Sequence, residues 1–137
     1  MLTQYGVIPV RRSADGGVEV LLITSRETRR WVVPRGNPIR GKGPAGSAAQ
    51  EALEEAGIVG RVGADAIGHY SYEKRRRLGM VVPARVHLFR MDVTEEHDDW
   101  PEKGQRERRW FPAEEAAAAV HEAELAGLIR SLSIDPS

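Results

Sequence analysis

Apolar residues cluster in short runs along the first third of the chain, and these runs predict β-strands. Tyr5 to Arg11 and Val18 to Thr24 are rich in aliphatic residues, and Asp15-Gly16-Gly17 between them supplies the positive-φ positions of a turn. We therefore expect these two segments to form a β-hairpin. Trp31-Val32-Val33 predicts a third, shorter strand, which Pro34 ends.

The pattern changes from strand-like to helix-like near the middle of the chain. Residues 35–46 form a glycine- and proline-rich stretch that we expect to lack regular structure. Ser47 to Ala56 contains strong helix formers, with Ser47 as the expected N-cap. Gly57 stands where a left-handed residue ends many helices. The sequence therefore predicts a helix over 47–56.

The second half of the chain predicts more strands and then helical segments. Ile58 to Val62 and Ala66 to Tyr72 are expected to be extended, and Met80 to Val93 is a longer β-rich stretch. Glu107 to Phe111 predicts a short strand. Pro112 follows it and begins an alanine-rich helical segment.

The order of these elements favours one layered architecture. Strands, a central helix, further strands and a terminal helix at Glu122 to Leu132 describe a mixed α+β sandwich better than a parallel doubly wound sheet. The last five residues are expected to fray. Because 137 residues are the size of one ordinary domain, we expect residues 1–137 to form a single domain.

Composition narrows the possible partners and ligands. The 20 basic residues balance the 20 acidic ones, so no overall field favours nucleic acid or a membrane surface. The sequence has no cysteine, which excludes thiolate metal sites and favours hard cations with oxygen ligands. No run approaches the ~18 apolar residues needed to cross a bilayer, and no secretion signal is recognisable. We therefore expect a cytoplasmic protein without a membrane partner.

The predicted central helix carries three glutamates on one face. Glu51, Glu54 and Glu55 stand at positions i, i+3 and i+4, which are neighbours on a helix surface. Like charges at this spacing destabilise a helix by about 0.2–0.5 kcal/mol per pair, and a divalent cation would relieve that repulsion. For glutamates taken in isolation, a solvated acidic face is the commoner explanation. The opposite face is small or apolar and is expected to pack on the sheet: Ala49, Ala52, Leu53 and Ala56.

The sequence around these glutamates follows the spacing of a known motif. The Nudix box has glycine, five residues, glutamate, seven residues, arginine-glutamate, an aliphatic residue, any residue, two glutamates, any residue, glycine and an aliphatic residue. Here Gly36, Lys42 and the run from Gln50 to Ile58 occupy its positions. The chain therefore resembles the Nudix hydrolases, with Lys42 in place of the first glutamate and Gln50 in place of the arginine.

This resemblance implies a fold, a cofactor and a reaction. The expected fold is a Nudix-type α/β/α sandwich with a mixed sheet, and the expected reaction is metal-dependent hydrolysis of a phosphoanhydride bond. The resemblance assigns the metal ligands, for Mg²⁺ or Mn²⁺, to Gly36, Glu51, Glu54 and Glu55. Either Glu51 or Glu54 is the expected base for in-line attack of water on phosphorus. Gln50 is expected to bond a box carboxylate without the charge that arginine would supply.

Segments outside the box are similar to one branch of the family, the diphosphoinositol and diadenosine polyphosphate phosphohydrolases. These segments are Thr24-Ser25-Arg26, Arg30 to Pro34, Asp98-Asp99-Trp100 and Glu107 to Phe111. In that branch, basic side chains grip a polyphosphate. The candidates here are Arg26, Arg35, Arg40, Lys42, Lys74, Arg75, Arg76 and Arg77. An exposed hairpin tip explains Lys74 to Arg77 at least as well, and Lys42 is equally well explained as a solvated loop residue.

Other candidates carry weaker signals. A carboxylate outside the helix often completes such metal sites, and Glu96 or Glu107 is the candidate for that group, although each is more often a surface residue. His69, His87, His97 and His121 lack metal-ligand spacing and are expected to be structural or solvent-facing. For Trp31, Tyr70 and Trp110, core packing is preferred to base stacking for at least two of the three.

The expected substrate is a polyphosphorylated small molecule such as a diadenosine polyphosphate or a diphosphoinositol polyphosphate. Nucleoside diphosphate sugars, oxidised nucleoside triphosphates and 5′-triphosphorylated RNA are rivals, although the balanced charge makes nucleic acid an unexpected partner. A Nudix-fold module that binds a phosphorylated metabolite without turnover is the alternative from another class. Loss of Glu54 or Glu55 would favour it, and both are present. The sequence leaves the choice between monomer and homodimer open.

Overall fold

A single sheet with helices on both faces makes up the structure, a computed structural model that describes the backbone of residues 1–133 and the side chains of residues 1–132. Its eight strands are β1 Leu2–Arg12, β2 Val18–Thr24, β3 Trp31–Val32, β4 Arg35–Gly36, β5 Ile58–Val62, β6 Gly68–Arg75, β7 Val81–Glu96 and β8 Arg108–Pro112. The α-helices of the described residues are α1 Gly43–Ala56, α2 Ala113–Ala119 and α3 Ala123–Ser133. Short 3₁₀ turns occur at Arg77–Gly79 and Lys103–Gln105.

The sheet is mixed because β1 pairs in both directions. β1 runs parallel to β7, with Leu2 opposite Ala84, and antiparallel to β2, with Val10 opposite Val20. The antiparallel pair confirms the predicted hairpin. The strand order is β3-β2-β1-β7-β5, with β4 beside β1, β6 beside β7 and β8 beside β2. The parallel β1–β7 pair therefore lies at the centre.

Two hydrophobic cores form because successive residues of a strand point to opposite faces of the sheet. Ile8 and Leu22 belong to the core that α2 and α3 cover, whereas Val7 and Leu21 belong to the core that α1 covers. The predicted α/β/α sandwich is confirmed by this arrangement. No helix within the described part of the chain is both long and apolar enough to cross a membrane.

Helix α1 begins about one turn earlier than predicted. Its first residue is Gly43, with Lys42 in the N-cap position and Pro44 in the first turn, where the missing N–H of proline costs no hydrogen bond. The prediction of Ser47 as the N-cap is therefore wrong. The Ser47 hydroxyl instead accepts a hydrogen bond from the Ile39 N–H at 2.8 Å, which ties the preceding loop to the helix. Tertiary contacts thus outweigh the low helix propensity of glycine there.

Smaller differences occur at the other element boundaries. Arg35–Gly36 is a short strand rather than irregular backbone, because it pairs with Tyr5 and Gly6 of β1. Pro112 is the N-cap of α2, and the terminal helix begins at Ala123. Gly57 has a φ of 66° and ends α1 in the left-handed conformation, as predicted. Fraying was predicted for the last five residues, 133–137. Residues 134–137 lie outside the described part of the chain.

Candidate active site

The acidic residues of α1 line one wall of an open cavity of about 990 Å³. The other walls come from β4, the segment after β2, the loop before β8, strand β6 and the junction between α2 and α3. Eight glutamates and six arginines or lysines line the cavity, so its surface suits a charged ligand together with cations. All three of the predicted helix carboxylates, Glu51, Glu54 and Glu55, are among them.

The loop before β8 is fixed to the end of α1 by hydrogen bonds to helix carbonyls that have no partner inside the helix. The Glu102 N–H donates to the Glu54 carbonyl at 3.0 Å, and the Trp100 indole N–H donates to the Glu55 carbonyl at 3.2 Å. The Arg108 guanidinium donates to the last carbonyl of α1 at 2.8 Å. These bonds place the Glu102 side chain in the cavity, beside the helix glutamates.

Glu55 is the most buried of the helix carboxylates, with 8% of its surface exposed. It therefore lies on the packed side of α1, next to Ala52 and Ala56, rather than on an acidic face clear of the core. Its Oε1 accepts a hydrogen bond from the Arg35 backbone N–H at 3.2 Å, and Arg106 lies 3.7 Å from its Oε2. Burial raises the pKa of Glu55 to about 8, although Arg106 and the Arg35 N–H oppose the shift.

Glu51 lies directly against the backbone of Gly36. A β-carbon at Gly36 would stand 2.2 Å from Glu51 Cδ, so only glycine allows the strand and the carboxylate to come this close. Burial raises the pKa of Glu51, and the negative charges of Glu54 and Glu102 raise it further. Burial is the largest cause of the raised pKa in both glutamates, and neighbouring carboxylates add to it.

Gln50 supports the third carboxylate. Its side-chain amide donates a hydrogen bond of 2.8 Å to Glu54 Oε2, so the expected contact between Gln50 and a box carboxylate is confirmed. The amide is neutral, so this bond lacks the charge assistance that arginine would give.

The donor chemistry of this wall fits a hard divalent cation. As the side chains stand, no three histidine, aspartate or glutamate residues in the described part of the chain already form a metal-binding group. The glutamates near the end of α1 nevertheless supply only oxygen ligands, which Mg²⁺ and Mn²⁺ prefer. These are Glu51, Glu54, Glu55 and Glu102. The raised pKa values of Glu51 and Glu55 mean that burial disfavours their charged forms, and a bound cation would stabilise those forms.

Arg35 connects the acidic wall to the interior of the sheet. Its backbone contacts Glu55, while its side chain donates a 2.9 Å hydrogen bond to the Tyr70 hydroxyl. The guanidinium carbon also lies 3.9 Å from the centre of the Tyr72 ring, and the Tyr72 hydroxyl donates to buried Gln4 at 2.7 Å. Burial opposes the charge of Arg35, but Tyr70 and Tyr72 more than compensate and raise its pKa. Arg35 is thus a fixed cation in the cavity wall.

The eight candidate substrate-binding residues divide into two groups. Four of them line the cavity: Arg26, Arg35, Lys74 and Arg75. The other four are exposed and lie outside its lining: Arg40, Lys42, Arg76 and Arg77. The candidates after β2, on β4 and on β6 therefore share the cavity. Those in the loop before α1 and at the tip of the β6–β7 hairpin lie outside it.

Several cavity residues escaped the sequence analysis. The cations are Arg30 and Arg106, and the carboxylates beyond the box include Glu102 and Glu122. Sequence reasoning considered Glu96 and Glu107 instead, yet Glu96 pairs with Arg11 and Trp110, and Glu107 lies 3.9 Å from Arg29. The Asp98-Asp99-Trp100 motif was the available signal, because Trp100 holds the loop that presents Glu102.

The aromatic and histidine residues mostly behave as expected. Tyr70 is fully buried, and Trp31 and Trp110 are partly buried against the two cores, which confirms core packing over base stacking. His121 is exposed, as expected, and it also lines the cavity.

An acidic helix, arginines on the facing walls and an α/β/α sandwich together define a site suited to a cation and a phosphorylated ligand. The model of the NUDIX domain family matches residues 3–132, and the chain belongs to this family. The resemblance inferred from the box is thereby confirmed.

Curated relatives agree with the branch that the flanking motifs indicated. The chain is 35% identical over 101 residues to diphosphoinositol polyphosphate phosphohydrolase 3-beta from Bos taurus, covering 72% of this chain and 57% of that protein. It is 31% identical over 126 residues to the mitochondrial Nudix hydrolase 12 from Arabidopsis thaliana, covering 81% of this chain and 62% of that protein. The chain thus spans about three fifths of the length of these relatives.

Solved structures share the fold. A C. elegans Ap4A hydrolase has a TM-score of 0.66 at 23% identity, with 97% of this chain and 96% of that chain covered. The E. coli dihydroneopterin triphosphate pyrophosphohydrolase has a TM-score of 0.71 at 15% identity, with 97% and 95% covered. At these identities the likeness supports the fold alone.

Proposed function

We propose that this chain hydrolyses a phosphoanhydride bond in a polyphosphorylated small molecule, with Mg²⁺ or Mn²⁺ as its cofactor. One observation carries the proposal: the glutamates of α1 and Glu102 line the same cavity as Arg26, Arg35 and Arg75. Carboxylates alone would repel a polyphosphate, and arginines alone would bind it without activating water. Their combination suits both binding and hydrolysis.

Glu51, Glu54 and Glu55 would hold the metal ion, with the Gly36 carbonyl and Glu102 as further oxygen donors. The close approach of Gly36 to Glu51 supports the inclusion of this backbone, since no side chain separates the two groups. When bound, a divalent ion supplies charge neutralisation at the phosphate oxygens and a more acidic water.

The protein's own cations orient the substrate. Arg35 offers a planar guanidinium whose position is fixed by Tyr70 and Tyr72, and such a group binds phosphate oxygens in a bidentate manner. Arg26 and Arg75 are exposed at the cavity walls and would grip the more distant phosphates. The substrate is thereby held with its anhydride facing α1.

Either Glu51 or Glu54 accepts the proton of the attacking water. Both lie on the exposed side of α1 relative to Glu55, which is buried and bonded to the Arg35 backbone. A positioned carboxylate base accelerates proton transfer by about 10²–10⁴-fold.

The names of the relatives suggest substrates. Diphosphoinositol polyphosphates are named in the curated phosphohydrolases, and a diadenosine polyphosphate in the C. elegans structure. We assign this chain to the same chemical class, in which a small organic group carries a chain of phosphates.

The test is a panel of diadenosine polyphosphates, diphosphoinositol polyphosphates and nucleoside diphosphate sugars, assayed with and without Mg²⁺ and Mn²⁺. We expect metal-dependent release of phosphate or nucleotide, and a loss of roughly 10²-fold or more in kcat for Glu54→Gln. Glu115→Gln is the matched control, because Glu115 is an exposed residue of α2 outside the cavity lining. A folded protein that binds these ligands but turns none of them over would replace the enzyme with a binding module.

A further inference from the structure

The hairpin of β6 and β7 ends in a turn that projects beyond the cavity. We call residues 76–80 the hairpin tip; they follow β6 and lie outside the cavity lining. Leu78 is 99% exposed and Met80 61%, and Val81 at the start of β7 is 45% exposed. These are three of the five large hydrophobic side chains that are exposed among the described residues. Exposed apolar surface is therefore concentrated at this tip.

The backbone of the tip makes Leu78 an unfavourable choice for folding alone. Leu78 has a φ of 60° and Gly79 a φ of 74°, and the Met80 N–H donates to the Arg77 carbonyl at 3.2 Å. Tight turns with positive φ at both central residues favour Asn-Gly, because asparagine tolerates this conformation better than leucine does. Leu78 is strained and gains no packing in return, which indicates a contact outside the chain.

Cations surround this apolar tip. Lys74 and Arg75 precede it, Arg76 and Arg77 belong to it, and Glu73 is the nearest carboxylate along the chain. None of the four basic side chains forms an ion pair with a described residue. The balanced charge of the whole chain, which gave no reason to expect a membrane partner, thus conceals a local positive excess.

The two chemistries of the tip together decide between partners. A nucleic acid or a soluble polyphosphate would pair with the arginines but would leave Leu78 and Met80 in water. A symmetric contact between two copies of the chain would cover the apolar side chains but would bring two clusters of like charge together. An anionic bilayer presents phosphate groups at its surface and hydrocarbon directly beneath them. It therefore matches both parts of the tip at once.

We propose that the hairpin tip docks the protein on an anionic lipid surface. Leu78 and Met80 enter the interfacial region, while Arg76 and Arg77 contact lipid phosphates. One short apolar tip with a few cations gives weak, reversible binding, not stable anchoring. Because this binding involves neither the carboxylates of α1 nor a metal ion, the inference is independent of the proposed function.

Sedimentation with lipid vesicles tests the proposal, in a chelating buffer without substrate. The probes are vesicles of phosphatidylcholine alone and of phosphatidylcholine with phosphatidylserine in equal parts. We expect the wild type to bind the mixed vesicles about tenfold more tightly than the neutral ones, and to be released by added salt. Arg77→Ser should weaken this binding about fivefold. Arg61→Ser is the matched control and should bind like the wild type, because Arg61 is exposed on β5, which pairs with the other end of β7.

Leu78→Asn separates a docking role from a structural one. Asparagine suits a φ of 60°, so the melting temperature should stay the same or rise, whereas binding to the mixed vesicles should fall about fivefold. Undiminished binding by this variant would overturn the proposal, as would a wild type that does not bind the mixed vesicles.

Two further measurements identify the other partners if vesicle binding is absent. A dimer in analytical ultracentrifugation that Leu78→Asn dissociates would assign the tip to a second copy of the chain. Binding of a single-stranded oligonucleotide that Arg77→Ser weakens and Leu78→Asn does not would assign it to nucleic acid. Either result, without vesicle binding, overturns the lipid proposal.

Discussion

Glu55 is the residue at which the demands of folding and of function differ most. It lies on the packed side of α1 and is only 8% exposed, where an uncharged side chain would avoid the cost of desolvating a carboxylate. Arg106 at 3.7 Å and the Arg35 N–H at 3.2 Å compensate for only part of that desolvation, since the pKa remains raised. A ligand that neutralises the carboxylate would supply the rest.

The raised pKa of Glu55 predicts how stability depends on pH. The folded protein binds a proton at Glu55 up to about pH 8, whereas the unfolded chain releases it near 4.5. The folded state therefore holds more protons between these values, and the free energy of unfolding falls as pH rises through this window. For the metal-free protein, we expect the melting temperature to decrease from about pH 5 to about pH 8.

Glu55→Gln should flatten this profile, because an amide does not titrate. Glu115→Gln should keep the wild-type slope, since Glu115 is exposed on α2. Scanning calorimetry of the three proteins in a chelating buffer measures the effect. Equal slopes in the wild type and in Glu55→Gln would show that the Glu55 carboxylate does not govern the profile.

Among the elements, the contact between α1 and the loop before β8 controls the site most directly. The Trp100 ring packs on Gly57, where a β-carbon would lie 2.6 Å from the ring, and its N–H bonds the Glu55 carbonyl. Arg108 also stacks on this ring, with its guanidinium carbon 4.0 Å from the Trp100 ring centre. The position of Glu102 in the cavity depends on this packing.

Gly57→Ala tests that dependence. It forces an L side chain into a φ of 66° and into the Trp100 ring, so we expect a loss of about 1–3 kcal/mol in the free energy of unfolding. Because Trp100 must move, kcat should also fall. Gly104→Ala is the control in the same loop, where a β-carbon meets open space. Urea unfolding and steady-state kinetics measure both effects, and similar losses in the two variants would contradict this account.

Element type was predictable where the periodicity was strong, and element ends depended on contacts between distant residues. The hairpin of β1 and β2 and the end of α1 at Gly57 follow from local turn and cap chemistry. The start of α1 does not, because Ser47 bonds Ile39 rather than capping the helix. The strand at Arg35–Gly36 exists only through its pairing with β1. Sequence reasoning has little access to such long-range pairing.

The same division applies to the site. The spacing of Glu51, Glu54 and Glu55 identified the acidic wall, because helix geometry fixes which residues are neighbours. Glu102 and Glu122 were not identified, since they reach the cavity through a loop and a helix junction whose positions depend on the fold. Arg40 and Arg77 were adjacent in sequence to useful segments but lie outside the cavity. Charge clusters alone therefore predict exposure better than they predict binding.

At the scale of the whole molecule, the cavity draws walls from both helical layers, so cations bound there should be linked to global folding. A ligand that binds only the folded state stabilises it by about 2.7 kcal/mol at a hundred times its dissociation constant. Mn²⁺ should therefore raise the melting temperature by several degrees, and a chelator should reverse the change. In the wild type the rise should be larger near pH 8 than near pH 5, because protons compete with the metal at Glu55.

Glu51→Gln combined with Glu54→Gln gives the sharpest comparison. Removing two carboxylates relieves charge repulsion, so the metal-free variant should be at least as stable as the wild type while losing the response to Mn²⁺. A general effect of divalent ions on surface charge would instead raise both melting temperatures equally. The difference between the two responses thus separates a site formed by α1 from nonspecific binding, without relying on activity towards any particular substrate.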